Sequence, residues 1–407
     1  MSFVPSGEYL ERYARLLVDY ALGEDGAGIA RGDVVQVVGG ESSKPLYAEI
    51  CRAVWRSGGH VLHRFQPPEE PGLNLNRDFF ELAGEAQLDF FPEPYSRGLL
   101  DQSDHLVALL SEADPHGLRD IDPTRIMRRR QAFQPAIGWQ QAKEAEGRFT
   151  WTAALYGTEA MASEAGLSIE EYWEQIVAAC YLDDPDLLDR WREVNQQIEA
   201  HCAALNVLPA NRLHVEGEDA DLWLTLGGKR KWLGGGGRNI PSFEVFTTPD
   251  WRGTQGWIRF TEPLYVFGSL IKGIELEFQD GRVTASRAGE NEKLLREMIA
   301  TPGADRVGEF SLTDARLSRI TKFMASTLYD ENVGGRYGNT HLALGLGLRH
   351  AYDGDPAALS EEEWERLGFN ASSVHTDIVS TSDRTVTAVL KDGSEQIIYA
   401  DGRFQHD

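Results

Sequence analysis

Asp33-Val34-Val35-Gln36-Val37-Val38-Gly39 is a short apolar, valine-rich run with a glycine exit. From Lys44 to Arg56, Leu46, Ile50, Ala53 and Val54 recur at the spacing of one helix face. Gly58-Gly59 closes that helix, and His60-Val61-Leu62-His63-Arg64-Phe65 reads as the next strand. Two strands joined through a helix run parallel, because only a hairpin reverses the chain directly. The stretch therefore predicts an α/β domain with a mostly parallel sheet. Gly39-Gly40-Glu41-Ser42-Ser43 sits where a nucleotide-binding loop would, but it lacks both GxGxxG spacing and a GK[ST] ending. It is read as a plain strand-to-helix connection.

Outward from this unit the alternation continues. Asp104 to Leu110 suits a strand or a helix equally, since a short apolar run carries no deciding period. Pro123 to Lys143 reads as a helix with Asp122 as N-cap and proline in the first turn. Its Arg128-Arg129-Arg130 cluster is a solvated face or a set of ion-pair partners. Phe149 to Leu155 reads as a strand, and Ser168 to Cys180 and Asp186 to Leu205 as helices. Pro209 follows, and a boundary is placed there: an α/β domain over 1–208 and a β-rich α+β domain over 209–407.

The second half changes character. Arg212–Val215, Asp221–Leu226, Phe243–Phe246, Gly256–Thr261, Leu264–Phe267, Ile271–Phe278, Arg282–Ala285, Thr385–Leu390 and Gln396–Ala400 read as strands. Gly227-Gly228, Asp280-Gly281, Asp392-Gly393 and Asp401-Gly402 supply turn chemistry between them. The run Gly234 to Gly237 permits close backbone approach or a flexible loop. One long helix is expected from Asp314 to Tyr329, after a capping Thr313.

Composition narrows the function classes. The chain has 407 residues, 42% hydrophobic and 26% charged, as in an ordinary globular protein. Its formal net charge of −24 repels phosphate backbones and argues against nucleic acid as a partner. No apolar run has the length of a membrane span. The N-terminal MSFVPSGEYLERYARLL is amphipathic and lacks the features of a signal peptide, so a cytoplasmic location is expected. Cys51, Cys180 and Cys202 are too few and too far apart for a disulfide framework or a CxxC site.

Chemistry concentrates between Arg238 and Thr381. His375-Thr376-Asp377 lies in a strand-like run, where residues two apart share a face. An imidazole and a carboxylate on one face suit zinc, cobalt or manganese better than calcium. Taken alone, the tripeptide reads first as a surface His and Asp on an edge strand. Glu244, Glu309, Glu331 and His341 stand in other apolar or glycine-rich runs, where a lone carboxylate is costly unless paired or metal-bound.

NIPSFEVFTTPD, VGEFSLTD, LYDEN, GNTHLALG and VHTDIVS, in this order, resemble the family of dinuclear metallo-aminopeptidases that includes aminopeptidase T and aminopeptidase S. The resemblance is strong over about residues 210 to 407 and looser before them. It implies that Glu244, Glu309, Glu331, His341, His375 and Asp377 hold two divalent ions (zinc, cobalt, manganese or magnesium), with Glu309 bridging them. It implies hydrolysis of short peptides with a free N-terminus by metal-activated water, Glu309 near that water, and a homodimer. Glu331 and His341 stand ten positions apart, with Gly334, Gly335 and Gly338 between them.

The chain departs from the family's pattern at one place. A tyrosine is expected seven residues after the THxALG histidine, as a donor to the tetrahedral intermediate, and Leu348 stands there. Tyr352 and Tyr337 are the candidates to replace it, with Tyr352 carried as a catalytic candidate. The alternatives are a mononuclear iron ring-cleaving dioxygenase on the same scaffold and a catalytically impaired family member with a binding role.

Overall fold

The computed structural model describes residues 3–23, 26–67, 69–235, 238–266 and 269–405. The chain forms two compact units, Met1–Arg192 with Gly236–Pro241, and Glu193–Gly235 with Ser242–Asp407.

In the first unit, Val34–Gly40, the Lys44–Arg56 helix and His60–Gln66 make the expected βαβ crossover, with Val34 opposite His60 in parallel register. The helix buries Leu46, Ile50, Ala53 and Val54, the residues whose spacing announced it. Lys44-Pro45 opens it with proline in the first turn, where the missing N–H costs nothing. His105–Leu110 is a strand, so the sheet runs Asn239–Ile240, Thr150–Leu155, His105–Leu110, Val34–Gly40, His60–Gln66, all parallel. The helix expected over 123–143 is two, Pro123–Ala132 and Gln134–Ala145. Pro135 cannot donate to the preceding turn and restarts the helix.

The second unit is built on antiparallel sheets. An eight-stranded sheet contains Ala210–Gly217, Ala220–Thr225, Asp250–Arg259, Glu275–Gln279, Arg282–Arg287, Arg384–Leu390, Glu395–Ala400 and Arg403–Phe404. A five-stranded sheet has the spatial order His375–Ser380, Asn339–Gly345, Val307–Thr313, Glu244–Thr247, Leu233–Gly234. The parallel first half and β-rich second half match the fold class read from sequence. Phe267, Gly236 and Gly237 lie outside the described residues. The strand expected over 271–278 is interrupted at Gly273, whose φ of +64° turns the chain between Ser269–Ile271 and Glu275–Gln279.

The long helix expected over 314–329 does not form; only Thr327–Asp330 is α-helical. Leu317, Ile320 and Met324 are buried as a helix stripe would be, but side chains take over the backbone donors. The Asp314 carboxylate accepts from Arg316 N and Phe404 N, and that of Asp330 accepts from Met324 N at 2.7 Å and Ser326 N at 2.8 Å. Such bonds compete directly with a helical ladder. Ala325, at φ +49°, cannot belong to a right-handed helix.

A bulge between Val307 and Glu309 separates Val307 from the regular pairing of Glu309–Thr313 with Asn339–Ala343. A Cβ on Gly308 would stand 2.3 Å from the Leu346 carbonyl oxygen and 2.6 Å from that of Gly345. Gly308→Ala is therefore expected to push the strands apart beside Glu309. It should destabilise by about 1–3 kcal/mol, the usual cost of overpacking, and lower divalent-ion affinity; urea unfolding and metal titration of the variant check both.

Candidate metal centre

The five-stranded sheet explains how residues 133 positions apart in sequence meet. Glu244 lies opposite Thr313, Ser311 opposite His341, and Ala343 opposite both Glu309 and Asp377, while Gly345 lies opposite His375. Directly opposed residues point to the same side, as do residues two apart on one strand. The register thus places Glu244, Glu309, His341, His375 and Asp377 on one face.

Their atoms converge. His341 Nε2 lies 3.5 Å from Glu244 Oε2 and 3.4 Å from Glu309 Oε1. His375 Nε2 lies 3.2 Å from Glu309 Oε2 and 3.3 Å from Asp377 Oδ1. Glu244, Glu309 and His341 form one group whose ligand atoms all lie within 4.8 Å of one another, and Glu309, His375 and Asp377 form another. Glu309 belongs to both and turns one oxygen to each histidine. Side-chain exposure is 1% at His341, 5% at Glu309, 10% at Asp377, 12% at Glu244 and 26% at His375, so the His375 side is the more open to solvent.

Polar atoms on this face lack partners. Among the described residues, His341 Nε2, Ser311 Oγ and Thr313 Oγ1 are buried without a hydrogen bond. Buried polar atoms are almost always satisfied, so three orphans on one face mark a place for a polar or cationic occupant. The His375 ring is oriented for one: its Nδ1 lies 2.8 Å from the Leu346 carbonyl oxygen. A carbonyl only accepts, so Nδ1 carries a proton, and Nε2 is the ring atom left to face Glu309 and Asp377.

The electrostatics have the same cause. Burial, then the Glu309 charge, pushes the Glu244 carboxyl up to about 8. Burial, followed by Glu244, Asp377 and Glu309, holds the Glu331 carboxyl well above its ordinary value. Burial would also raise Glu309 and Asp377, but the histidines beside them bring both below the usual carboxylate range. Burial opposes a charge on His375 and His341, and the neighbouring carboxylates outweigh it and raise both. Four carboxylates against two imidazoles leave an excess of buried negative charge that protons or cations must offset.

Of the residues singled out from sequence, five stand together. Glu331 is buried beside them, its Oε1 accepting from Asn332 Nδ2 at 3.3 Å, and lies outside both ligand groups. The Tyr352 ring packs edge-on against Trp364 and Phe369, and its hydroxyl accepts from Lys229 Nζ at 3.3 Å. The Tyr337 carbonyl accepts from the Tyr399 hydroxyl, and Leu348 donates its N–H to Thr248 Oγ1. Sequence reasoning passed over Asn332, whose Oδ1 accepts from Phe243 N at 2.6 Å and fixes the entry to the Glu244 strand. Its place directly after Glu331 was the available signal.

The model of the thermophilic metalloprotease (M29) family matches residues 6–404. The chain is 27% identical over 422 residues to aminopeptidase PepS of Streptococcus thermophilus, covering 97% of each chain. The solved structure of wild-type AmpT from Thermus thermophilus is similar at a TM-score of 0.81 and 25% identity, covering 97% of this chain and 98% of that one. A 2,5-dihydroxypyridine dioxygenase from Pseudomonas putida KT2440 shares the fold alone, at a TM-score of 0.54 and 15% identity over 99% of each chain. The chain belongs to the thermophilic metalloprotease (M29) family of metallo-aminopeptidases.

Proposed function

We propose that this enzyme removes N-terminal residues from short peptides at two divalent ions. One is held among Glu244, Glu309 and His341, the other among Glu309, His375 and Asp377, with Glu331 as a further acidic ligand. The observation that carries the reading is Glu309, the one carboxylate common to both groups, with one oxygen toward each histidine. The donor set of imidazole nitrogen and carboxylate oxygen suits zinc, cobalt or manganese, and magnesium where oxygens dominate. The orphaned His341 Nε2 is the atom a cation would satisfy.

Ions bound there would supply a Lewis acid for the scissile carbonyl and a water of lowered pKa. Glu309, between the two groups, would hold both ions beside the attacking water, and a carboxylate beside it would take the water's proton and pass it toward the leaving amine. The surplus carboxylates attract a protonated α-amine, which favours a free N-terminus over a blocked one. Tyr352 is given no part in this reading: its ring is packed edge-on against Trp364 and Phe369. A homodimer in the cytoplasm completes the reading. The three free, buried thiols support a reducing compartment. Among the described residues no helix is long and apolar enough to cross a membrane.

Metal content per chain, measured with turnover of matched free-amine and N-acetylated peptides, tests the proposal. Two ions per chain and cleavage of the free-amine series alone are expected. Equal cleavage of the acetylated series would overturn the aminopeptidase assignment, and full activity after exhaustive chelation would overturn the metal one.

His375→Ala and Asp377→Ala are each expected to lower metal occupancy by about one ion per chain with secondary structure intact, because each removes one of three donors from a single group. Elemental analysis reads the occupancy and circular dichroism the fold; full occupancy in both variants would remove the pair from the ligand set.

A further inference from the structure

Asn339 and His341 are two residues apart on one strand and share its face. Asn339 is fully buried. Its Nδ2 donates to the Glu331 carbonyl oxygen at 3.0 Å and to that of Val333 at 2.6 Å. Carbonyl oxygens only accept, so these two bonds define which end of the amide is the NH2 group. The other end, Oδ1, lies 3.4 Å from His341 Nδ1. An amide oxygen also only accepts, so the ring nitrogen facing it carries the proton. The lone pair of the neutral ring then stands on Nε2, the unpartnered atom between Glu244 and Glu309.

We infer that Asn339 is a positioning residue of the metal centre: its amide holds His341 in the Nδ1–H tautomer and fastens the Glu331 segment to the same strand. The inference rests on the proposed metal reading for its functional meaning, though the tautomer itself does not depend on it. One side chain thereby links two parts of the site that arrive separately along the chain. Orienting partners of ligating histidines commonly change metal affinity by about ten- to a hundredfold when removed.

Asparagine does this because it offers a donor pair and an acceptor on opposite ends of one rigid plane. Aspartate keeps an acceptor toward the ring but sets a second oxygen against two carbonyl oxygens. Leucine keeps the approximate volume and offers neither function. The two substitutions therefore separate the two roles.

The test uses the full chain with Asn339→Leu and Asn339→Asp, and zinc as the probe. Nitrogen-15 NMR of the imidazoles, at a pH where the rings are neutral, should show the His341 proton on Nδ1 in the parent and in Asn339→Asp, and a mixture in Asn339→Leu. Zinc affinity by chelator competition should fall about ten- to a hundredfold in Asn339→Leu. A parent His341 protonated on Nε2, or a folded Asn339→Leu whose zinc affinity stays within about twofold of the parent, would overturn the inference, given that such partners ordinarily matter more. If Asn339→Leu does not fold, loss of the Nδ1–H form in Asn339→Asp overturns it and retention supports it. A parent with the Nδ1–H tautomer but no zinc binding supports the tautomer assignment and overturns the metal reading instead.

Discussion

Glu309→Gln is expected to lower kcat/KM for a free-amine peptide by about a thousandfold or more, which is about 4 kcal/mol of transition-state stabilisation. Glutamine preserves the volume and one carbonyl oxygen, so the buried strand around it has no reason to repack. It replaces the second oxygen by an NH2 group, which donates and neither ligates a cation nor takes a proton. Because Oε1 faces His341 and Oε2 faces His375, either orientation of the amide deprives one of the two groups of its third donor. One ion should remain close to full occupancy while the other is weakened, so hydrolysis is lost more completely than metal. Elemental analysis beside steady-state kinetics separates the two effects. Turnover near that of the parent would remove Glu309 from the chemistry, and loss of both ions with the fold intact would show that the two groups are one cooperative site.

Much of this site was legible in the sequence for a local reason. His375 and Asp377 needed only the two-residue period of a strand, and the 3.3 Å between their side chains follows from it. The Lys44–Arg56 helix needed only its apolar spacing, and it forms over that span. Val307–Thr313 and Asn339–Gly345 were quoted as motifs without being read as strands, and the cause is burial. Every residue of both is buried, so the sequence carries no alternation to read. The register that brings Glu244 to Glu309 is set by the pairing of Glu244 with Thr313 across two strands, which is a tertiary fact. The segment over 314–326 failed in the opposite way. Its apolar spacing is helical, but Asp314 and Asp330 spend their carboxylates on its backbone N–H groups. The ring of Tyr352 closes an aromatic cluster with Trp364 and Phe369, residues that no period connects to it, so its packing was not legible in the sequence.

Arg384→Met is expected to destabilise the second unit by about 3–5 kcal/mol, the usual cost of removing one member of a buried ion pair. Arg384 is 1% exposed on the strand Arg384–Leu390. Its Nε and Nη2 donate to the two Asp219 oxygens at 3.1 and 3.0 Å, Nη2 donates also to the Arg259 carbonyl, and Nη1 donates to Thr340 Oγ1 at 2.7 Å. The last bond crosses from the eight-stranded sheet to the strand that carries His341, so one guanidinium joins the structural sheet to the metal face. Methionine fills much of the volume and leaves the Asp219 charge without its partner, with Ser382 and Ser380 as its remaining side-chain donors. Lysine should fail nearly as badly, because a single ammonium cannot reproduce the planar fork. The pH dependence follows from Asp219. Burial would raise its carboxyl, but Arg384 outweighs burial and holds it below the ordinary value. A depressed folded-state pKa gives stability that is present above the unfolded-state value and lost as pH falls through the folded one. The parent should therefore lose part of its margin on acidification, and Arg384→Met should lose less over the same interval. Urea unfolding of the parent, Arg384→Met and the double variant Arg384→Met/Asp219→Leu measures this. The double variant should regain part of the loss, since no unpaired charge is left buried. A single variant as stable as the parent, or a double variant no more stable than Arg384→Met, would show that the pair does not bind the sheets together. Metal affinity should fall in Arg384→Met as well, through Thr340 and the adjacent His341.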